Sequence, residues 1–283
     1  SLTRKIKVAT LLGTIQSTFT NFGYLRKVWQ DNTEEERLLG VSLTGIMDSE
    51  LLNGKETGLA KTLEKLKKVA VDCNKEYAEK FNINQSTAIT CVKPSGTVSQ
   101  LVDSASGIHA RHNPYYIRTV RGDKKDPLTE FLKASGIPSE DDKMKPDHTT
   151  VFSFPMMAPK GSVCRTDMTA IQQLEMWKIY AKHWCEHKPS VTISVKEDEW
   201  VPVGAWCWEN FDHLSGVSFL PFADHTYTQA PYQDIDEKTY KELVKAMPKE
   251  IDWTKLQDFE KEDNTKGSQE LACTAGVCEL VDI

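Results

Sequence analysis

The sequence predicts an α/β fold with parallel strands, followed by a flexible C-terminal tail. Short β-branched runs alternate with longer segments whose apolar residues recur at helical spacing, the pattern of βαβ units that bind ligands at the carboxyl ends of their strands. With 283 residues, 39% hydrophobic and 27% charged, the chain can form one large domain or two ordinary ones with a full core. After Phe259 the composition changes to Glu260-Lys261-Glu262-Asp263-Asn264-Thr265-Lys266-Gly267-Ser268-Gln269-Glu270, too poor in apolar groups to bury itself.

In order along the chain, a core-facing helix is expected from Arg4 to Phe19, with Val8, Leu11, Leu12, Ile15 and Phe19 inward and Gly23 breaking the pattern. A longer helix is expected from Leu59 to Phe81, its stripe of Leu59, Leu63, Leu66, Ala70, Cys73, Tyr77 and Phe81 opposing a charged face, which makes Cys73 a packing residue. Thr87 to Val92 reads as a buried strand stopped by Lys93-Pro94, with a helix almost immediately after it. Tyr115 to Val120 and Thr149 to Phe154 are strand candidates, and Gly122 to Lys145 between them reads as an exposed excursion. Further on come a helix over Asp167 to Trp184, a strand over Ser190 to Val195, a helix around Trp200 to Phe211 and a strand over Gly216 to Pro221. A short helix from Asp236 to Met247 has Tyr240, Leu243, Val244 and Met247 inward.

Charge and composition exclude several functions. A formal net charge of −6 with no basic stripe argues against a general nucleic-acid binder. No apolar run approaches the ~18 to 20 residues of a membrane helix. The start, Ser1-Leu2-Thr3-Arg4-Lys5, is neither a signal peptide nor a Met start, and is expected of a fragment, a processed chain or the product of a split gene. Seven cysteines, an odd number scattered largely through apolar stretches, read as reduced thiols of a cytoplasmic protein rather than a disulfide framework.

Two constellations carry chemistry. In Cys91-Val92-Lys93-Pro94-Ser95-Gly96-Thr97-Val98-Ser99-Gln100-Leu101-Val102 a strand turns through Pro-Ser-Gly into a helix, where free N–H groups and the hydroxyls of Ser95, Thr97 and Ser99 would cradle a phosphate. It is not a Walker loop, and an ordinary helix capped by Ser95 or Thr97 fits the same residues. The second is Leu271-Ala272-Cys273-Thr274-Ala275-Gly276-Val277-Cys278-Glu279, two cysteines joined by small residues on a tether that reaches roughly 45 Å when extended. That arrangement suits a mobile redox dithiol, and equally half of a metal site or two unpaired terminal thiols.

Other stretches are less specific. Ala105 to Arg121 is dense in Arg, His and aromatic groups, and Arg111, Arg118 and Arg121 are candidates for phosphate, with His109 and His112 as hydrogen-bond donors. The aromatic run from Trp200 to Tyr232 suits either a core or the wall of a large flat cofactor. His183, Cys185, Glu186 and His187 lie at a helix end with no complementary pair at zinc-finger spacing, and no metal is assigned.

Together these segments resemble the adenosylcobalamin-dependent (class II) ribonucleotide reductases, most closely the monomeric kind that reduces ribonucleoside triphosphates. The resemblance rests on Lys93 to Val102, on Ala105-Ser106-Gly107-Ile108-His109 through Pro114-Tyr115-Tyr116-Ile117-Arg118, on Gly216-Val217-Ser218-Phe219-Leu220-Pro221, and on Gln269 through Cys278-Glu279, four segments in order. It implies that residues 1–259 are the C-terminal part of a ten-stranded α/β barrel and 260–283 a redox-active tail. It implies further that Pro94, Ser95, Gly96, Thr97, Val98 and Ser99 bind the substrate phosphates and that Cys273 and Cys278 shuttle electrons from a thioredoxin-type reductant, with adenosylcobalamin as cofactor. The family's radical cysteine lies in an Asn-x-Cys-x-Glu loop. Here Cys207 and Glu209 have Ala205 where Asn is required, so the chain is expected to lack the radical loop, to need the N-terminal part of the reductase as a partner, and to be inactive alone. A catalytically silent nucleotide-binding or assembly module is the alternative.

Overall fold

The computed structural model describes residues 1–95, 98–222 and 228–261, with the backbone of two short strands at 273–274 and 277–278. In chain order the elements are α1 (Leu2–Gln16), α2 (Lys27–Glu36), β1 (Val41–Ser42), α3 (Leu59–Phe81), β2 (Thr90–Cys91), α4 (Val98–Leu101), β3 (Tyr115–Asp123), α5 (Pro127–Ala134), β4 (Ser139–Asp141) and β5 (Thr149–Met157). There follow α6 (Ala170–His183), β6 (Val191–Val195), α7 (Trp200–Glu209), β7 (Val217–Pro221), β8 (Tyr232–Asp234), α8 (Glu237–Ala246), α9 (Leu256–Phe259), β9 (Cys273–Thr274) and β10 (Val277–Cys278). The chain divides into two compact units, residues 1–113 with 158–224, and residues 114–157 with 225–283.

In the first unit, β1 and β2 pair in parallel with Val41 opposite Thr90, and β6 and β7 pair in parallel from Val191 opposite Val217 to Val195 opposite Pro221. The Ser190 N–H donates to Val92 O at 3.0 Å, bringing β6 beside the end of β2. Strand and helix are mixed and the strands of this unit are parallel, as expected from the alternating pattern. Leu63, Leu66 and Ala70 of α3 and Leu174, Trp177 and Tyr180 of α6 are buried with Val92 and Ile193 in one core. Burying indoles requires partners for their N–H groups. Trp184 Nε1 donates to Cys91 O at 2.7 Å and Trp177 Nε1 to Pro189 O at 3.2 Å. Gly216 opens β7 at φ +58°, and a Cβ there would sit 2.7 Å from Pro189 O, so only glycine lets the chain pass this close to the start of β6.

Helix α1 forms where expected but faces the other way. Its buried residues are Ile6, Thr10 and Thr14, while Val8, Leu12 and Phe19 are 49%, 57% and 70% exposed. Small residues let α1 approach its neighbours closely. The Thr10 and Thr14 hydroxyls donate back to Ile6 O and Thr10 O at 2.8 Å, and Asn74 of α3 donates to Thr14 Oγ1 at 3.0 Å. Hydroxyls satisfied within the helix can be buried cheaply, so the apolar stripe is not the buried one.

The second unit holds an antiparallel sheet in the order β4-β5-β3-β8, a feature the alternation pattern did not reveal. Strands β3 and β5 pair from Tyr115 opposite Met157 to Asp123 opposite Thr149. The presumed excursion at 122–145 is folded. It contains α5 and β4, buries Phe131 and Ile137, and has Asp126 capping α5 through the Leu128 N–H at 2.9 Å. Helix α8 forms as expected but none of its residues is fully buried; Tyr240 meets the Tyr115 ring at 5.3 Å.

Candidate functional site

The parallel strands β1 and β2 end side by side, and the segments that leave them carry Thr44 and Ser95. Ser95 is held on two sides. Its N–H donates to Ser106 Oγ at 3.0 Å, its hydroxyl contacts Ser106 Oγ at 3.1 Å, and the Thr44 hydroxyl lies 3.2 Å from Ser95 Oγ. A third segment, Ser104 to His109, therefore wraps back against the loop. Gly107 makes this possible: it has φ +56°, and a Cβ would meet Lys93 O at 2.9 Å.

Behind the loop sits a charged clamp. Arg111 is buried and donates through Nε and Nη2 to both carboxylate oxygens of Asp48 at 2.9 Å, and through Nη1 to Asp103 at 2.9 Å. Asp48 Oδ2 also accepts the Ala105 N–H at 2.7 Å. Arg111 is thus fully engaged in holding the wrapping segment, not displayed for a phosphate. His109 is a second tie. Its Nε2 accepts the Thr192 N–H of β6 at 3.0 Å, which fixes the Nδ1–H tautomer and directs it to Ser106 O at 3.0 Å. Burial holds its pKa below the ordinary value of 6.5, so the ring is neutral and structural.

Of the other expected site residues, Pro94 and Val98 are exposed and Ser99 is fully buried, while Gly96 and Thr97 lie outside the described residues. The helix that follows, α4, has four residues, so its dipole is small and hydroxyls and loop N–H groups are the main resource for an anion. Arg118 and Arg121 belong to the second unit, where Arg118 stacks over the Tyr232 ring at 4.4 Å and Arg121 pairs with Asp142 at 2.7 Å. Sequence reasoning missed Thr44, Asp48 and Ser106, and also the cations at the ends of β6 and β7, where Arg165 and Lys196 flank Phe222 at 5.0 and 5.6 Å. Among the aromatic residues Trp206 is buried with its indole on Glu175 at 2.6 Å, whereas Trp208 is 84% exposed. His183 meets Glu64 at 2.8 Å and His187 meets Leu39 O at 2.6 Å.

The five cysteines with described side chains, Cys73, Cys91, Cys164, Cys185 and Cys207, all have pKa values raised by burial, Cys185 to about 12. They stay protonated at neutral pH and are poor nucleophiles. The side chains of Cys273 and Cys278 lie outside the described residues, but their backbones are paired: β9 and β10 are antiparallel, with Cys278 opposite Cys273. Directly opposed residues have Cα atoms about 4.5 to 5.5 Å apart, within the range a disulfide spans.

A chain from Dictyostelium discoideum described as a probable adenosylcobalamin-dependent ribonucleoside-triphosphate reductase is 29% identical over 267 residues, 89% of this chain and 33% of that protein. The adenosylcobalamin-dependent ribonucleoside-triphosphate reductase of Lactobacillus acidophilus is 27% identical, covering 93% of this chain and 39% of its own. Over about nine-tenths of its length this chain is similar to adenosylcobalamin-dependent ribonucleoside-triphosphate reductases. No protein-family model matches it. The fold agrees: a crystal structure of a B12-dependent class II ribonucleotide reductase superposes with a TM-score of 0.80 at 22% identity, over 93% of this chain and 40% of that one. The chain spans between a third and two fifths of the length of these reductases.

Proposed function

We propose that this chain acts within an adenosylcobalamin-dependent ribonucleoside-triphosphate reductase, converting ribonucleoside triphosphates to 2'-deoxyribonucleoside triphosphates. The observation that carries the reading is similarity to such reductases over about nine-tenths of the chain, together with a shared fold. In this reading residues 1–259 are the C-terminal part of the reductase barrel, and 260–283 a redox tail reduced by a thioredoxin-type protein in the cytoplasm. Pro94 to Ser99 take the substrate phosphates. Support for that site comes from its position past the ends of two parallel strands and from the hydroxyls gathered around Ser95.

Cys273 and Cys278 take the shuttle role. A thiolate of the tail attacks the disulfide that substrate reduction leaves elsewhere in the reductase, and the second tail thiol closes Cys273–Cys278 as that pair leaves reduced; a thioredoxin dithiol then reopens it, so each cycle passes one electron pair inward. Tethering raises the local concentration of the dithiol. Adenosylcobalamin would supply the radical when bound, and the exposed rings of Trp208 and Phe211, within the aromatic run from Trp200 to Tyr232, would offer a flat surface to so large a planar group.

Cys207 and Glu209 lie on α7 with Ala205 in place of the loop's Asn, so the radical cysteine comes from a partner segment that this chain lacks. Assayed alone with adenosylcobalamin, a ribonucleoside triphosphate and a dithiol, the chain is expected to form no deoxynucleotide; turnover by the chain alone would overturn the incomplete-enzyme reading. Phosphate binding is tested by titrating ATP into the chain and its Ser95→Ala variant. Losing a hydrogen bond to a charged group, about 1.5 to 3 kcal/mol, is expected to weaken binding by roughly ten- to a hundredfold, and equal affinity would contradict the site.

A further inference from the structure

Ser95 cannot set its own direction. Its single hydroxyl proton faces two neighbouring hydroxyls, Ser106 Oγ at 3.1 Å and Thr44 Oγ1 at 3.2 Å, so the group available to an anion depends on what those neighbours are doing. Thr44 has a fixed task on each side of its oxygen. Its O–H donates to Ala105 O at 3.0 Å, and its oxygen accepts the Gly107 N–H at 3.0 Å. Residues 105 and 107 bracket Ser106, so one hydroxyl pins the backbone on both sides of the residue that receives the Ser95 N–H. Backbone bonds repeat the pattern, with Gly45 N–H donating to Ala105 O at 2.7 Å and Ile46 N–H to Gly107 O at 3.3 Å. With its own proton committed to Ala105 O, Thr44 is left as an acceptor toward Ser95.

We propose that Thr44 is a positioning residue for the anion-binding loop, setting the direction of the Ser95 hydroxyl both directly and through Ser106. This rests on the phosphate-loop reading above. When a phosphate oxygen arrives, the Ser95 proton turns to it, and Ser95 Oγ accepts in its place the proton of Ser106. Thr44 then gives up the Ser95 proton but keeps Ser106 in place through its bonds to Ala105 and Gly107, and never touches the phosphate. Thr44 is exposed, so its replacement costs little packing, and Thr44→Ser, which keeps the hydroxyl, separates the bonds to Ala105 and Gly107 from the lost methyl group.

The test compares Thr44→Val, Thr44→Ser and Ser95→Ala in the full chain, titrated with ATP and with inorganic triphosphate, alongside thermal unfolding and amide exchange at Gly107. Thr44→Val is expected to weaken both ligands by about tenfold, to speed exchange at Gly107 and to lower the unfolding midpoint as the buried Gly107 N–H loses its partner, while Thr44→Ser restores the midpoint and brings affinity to within about twofold of wild type. Wild-type affinity in Thr44→Val, or equal loss in Thr44→Val and Thr44→Ser, overturns the role of the hydroxyl. If only Thr44→Val keeps its affinity while Ser95→Ala loses it, the loop reading stands without Thr44. If Ser95→Ala binds as wild type does, or wild type binds neither ligand, the loop reading falls and the positioning role with it.

Discussion

His109 is the residue whose chemistry is most completely determined by its surroundings. A ring nitrogen that accepts the Thr192 N–H cannot also hold a proton, and burial lowers its pKa below the 6.5 of an unfolded histidine. Between those two values the unfolded chain binds more protons than the folded one, so this contribution to stability is complete above about pH 6.5 and is lost as the pH falls. Stability measured by urea unfolding is expected to drop from pH 7 to pH 5, and to drop less in His109→Gln. At Gly107, substitution by Ala adds a left-handed strain of about 1 to 2 kcal/mol and a clash with Lys93 O, and is expected to lower the urea midpoint while weakening ATP binding. As a candidate for phosphate, Ser95 was marked in the sequence because Pro-Ser-Gly after a strand is a local signal. Thr44 and Asp48 were not, because their importance comes from segments some sixty residues away: Thr44 and Ala105 are 61 apart, Asp48 and Arg111 63 apart. Nothing in the sequence near Arg111 says that its charge is spent inside the fold.

Elements were read well where one face is plainly apolar. Helix α3 spans Leu59–Phe81 as its stripe predicts, and Cys73 packs within it. Helix α6 begins with a reciprocal cap in which Thr169 accepts the Gln172 N–H and Gln172 accepts the Thr169 N–H. Replacing Thr169 by Ala is expected to cost about 1 kcal/mol, read as a lowered urea midpoint with unchanged slope. The orientation of α1 was misread because periodicity reports an apolar face without saying what covers it. Val8 and Leu12 do not contribute to the described core, so the double change Val8→Glu with Leu12→Glu is expected to shift stability by less than about 0.5 kcal/mol. Strands β3 and β5 were expected, but their antiparallel pairing was not, because their burial does not alternate, with Thr150, Val151 and Phe152 buried in a row, and a polar stretch separates them in sequence.

At the scale of the molecule, two units carry features expected of one reductase. The loop proposed to bind phosphate stands beyond parallel strands, and two paired strands of the second unit set two cysteines opposite one another. The sequence resemblance anticipated the relatives that the chain matches and the mixed fold because its motifs are local, while the division into two units depends on long-range contacts that no motif encodes. The proposed role as electron carrier can be tested without any other part of the enzyme. The chain is oxidised mildly, given thioredoxin with its reductase and NADPH, and its thiols are trapped and mapped by peptide mass. A disulfide between Cys273 and Cys278 that thioredoxin reduces rapidly, while Cys73, Cys91, Cys164 and Cys185 remain thiols, is the expected result. Failure of that disulfide to form, or its persistence in the presence of thioredoxin, would contradict the shuttle and favour a silent nucleotide-binding module.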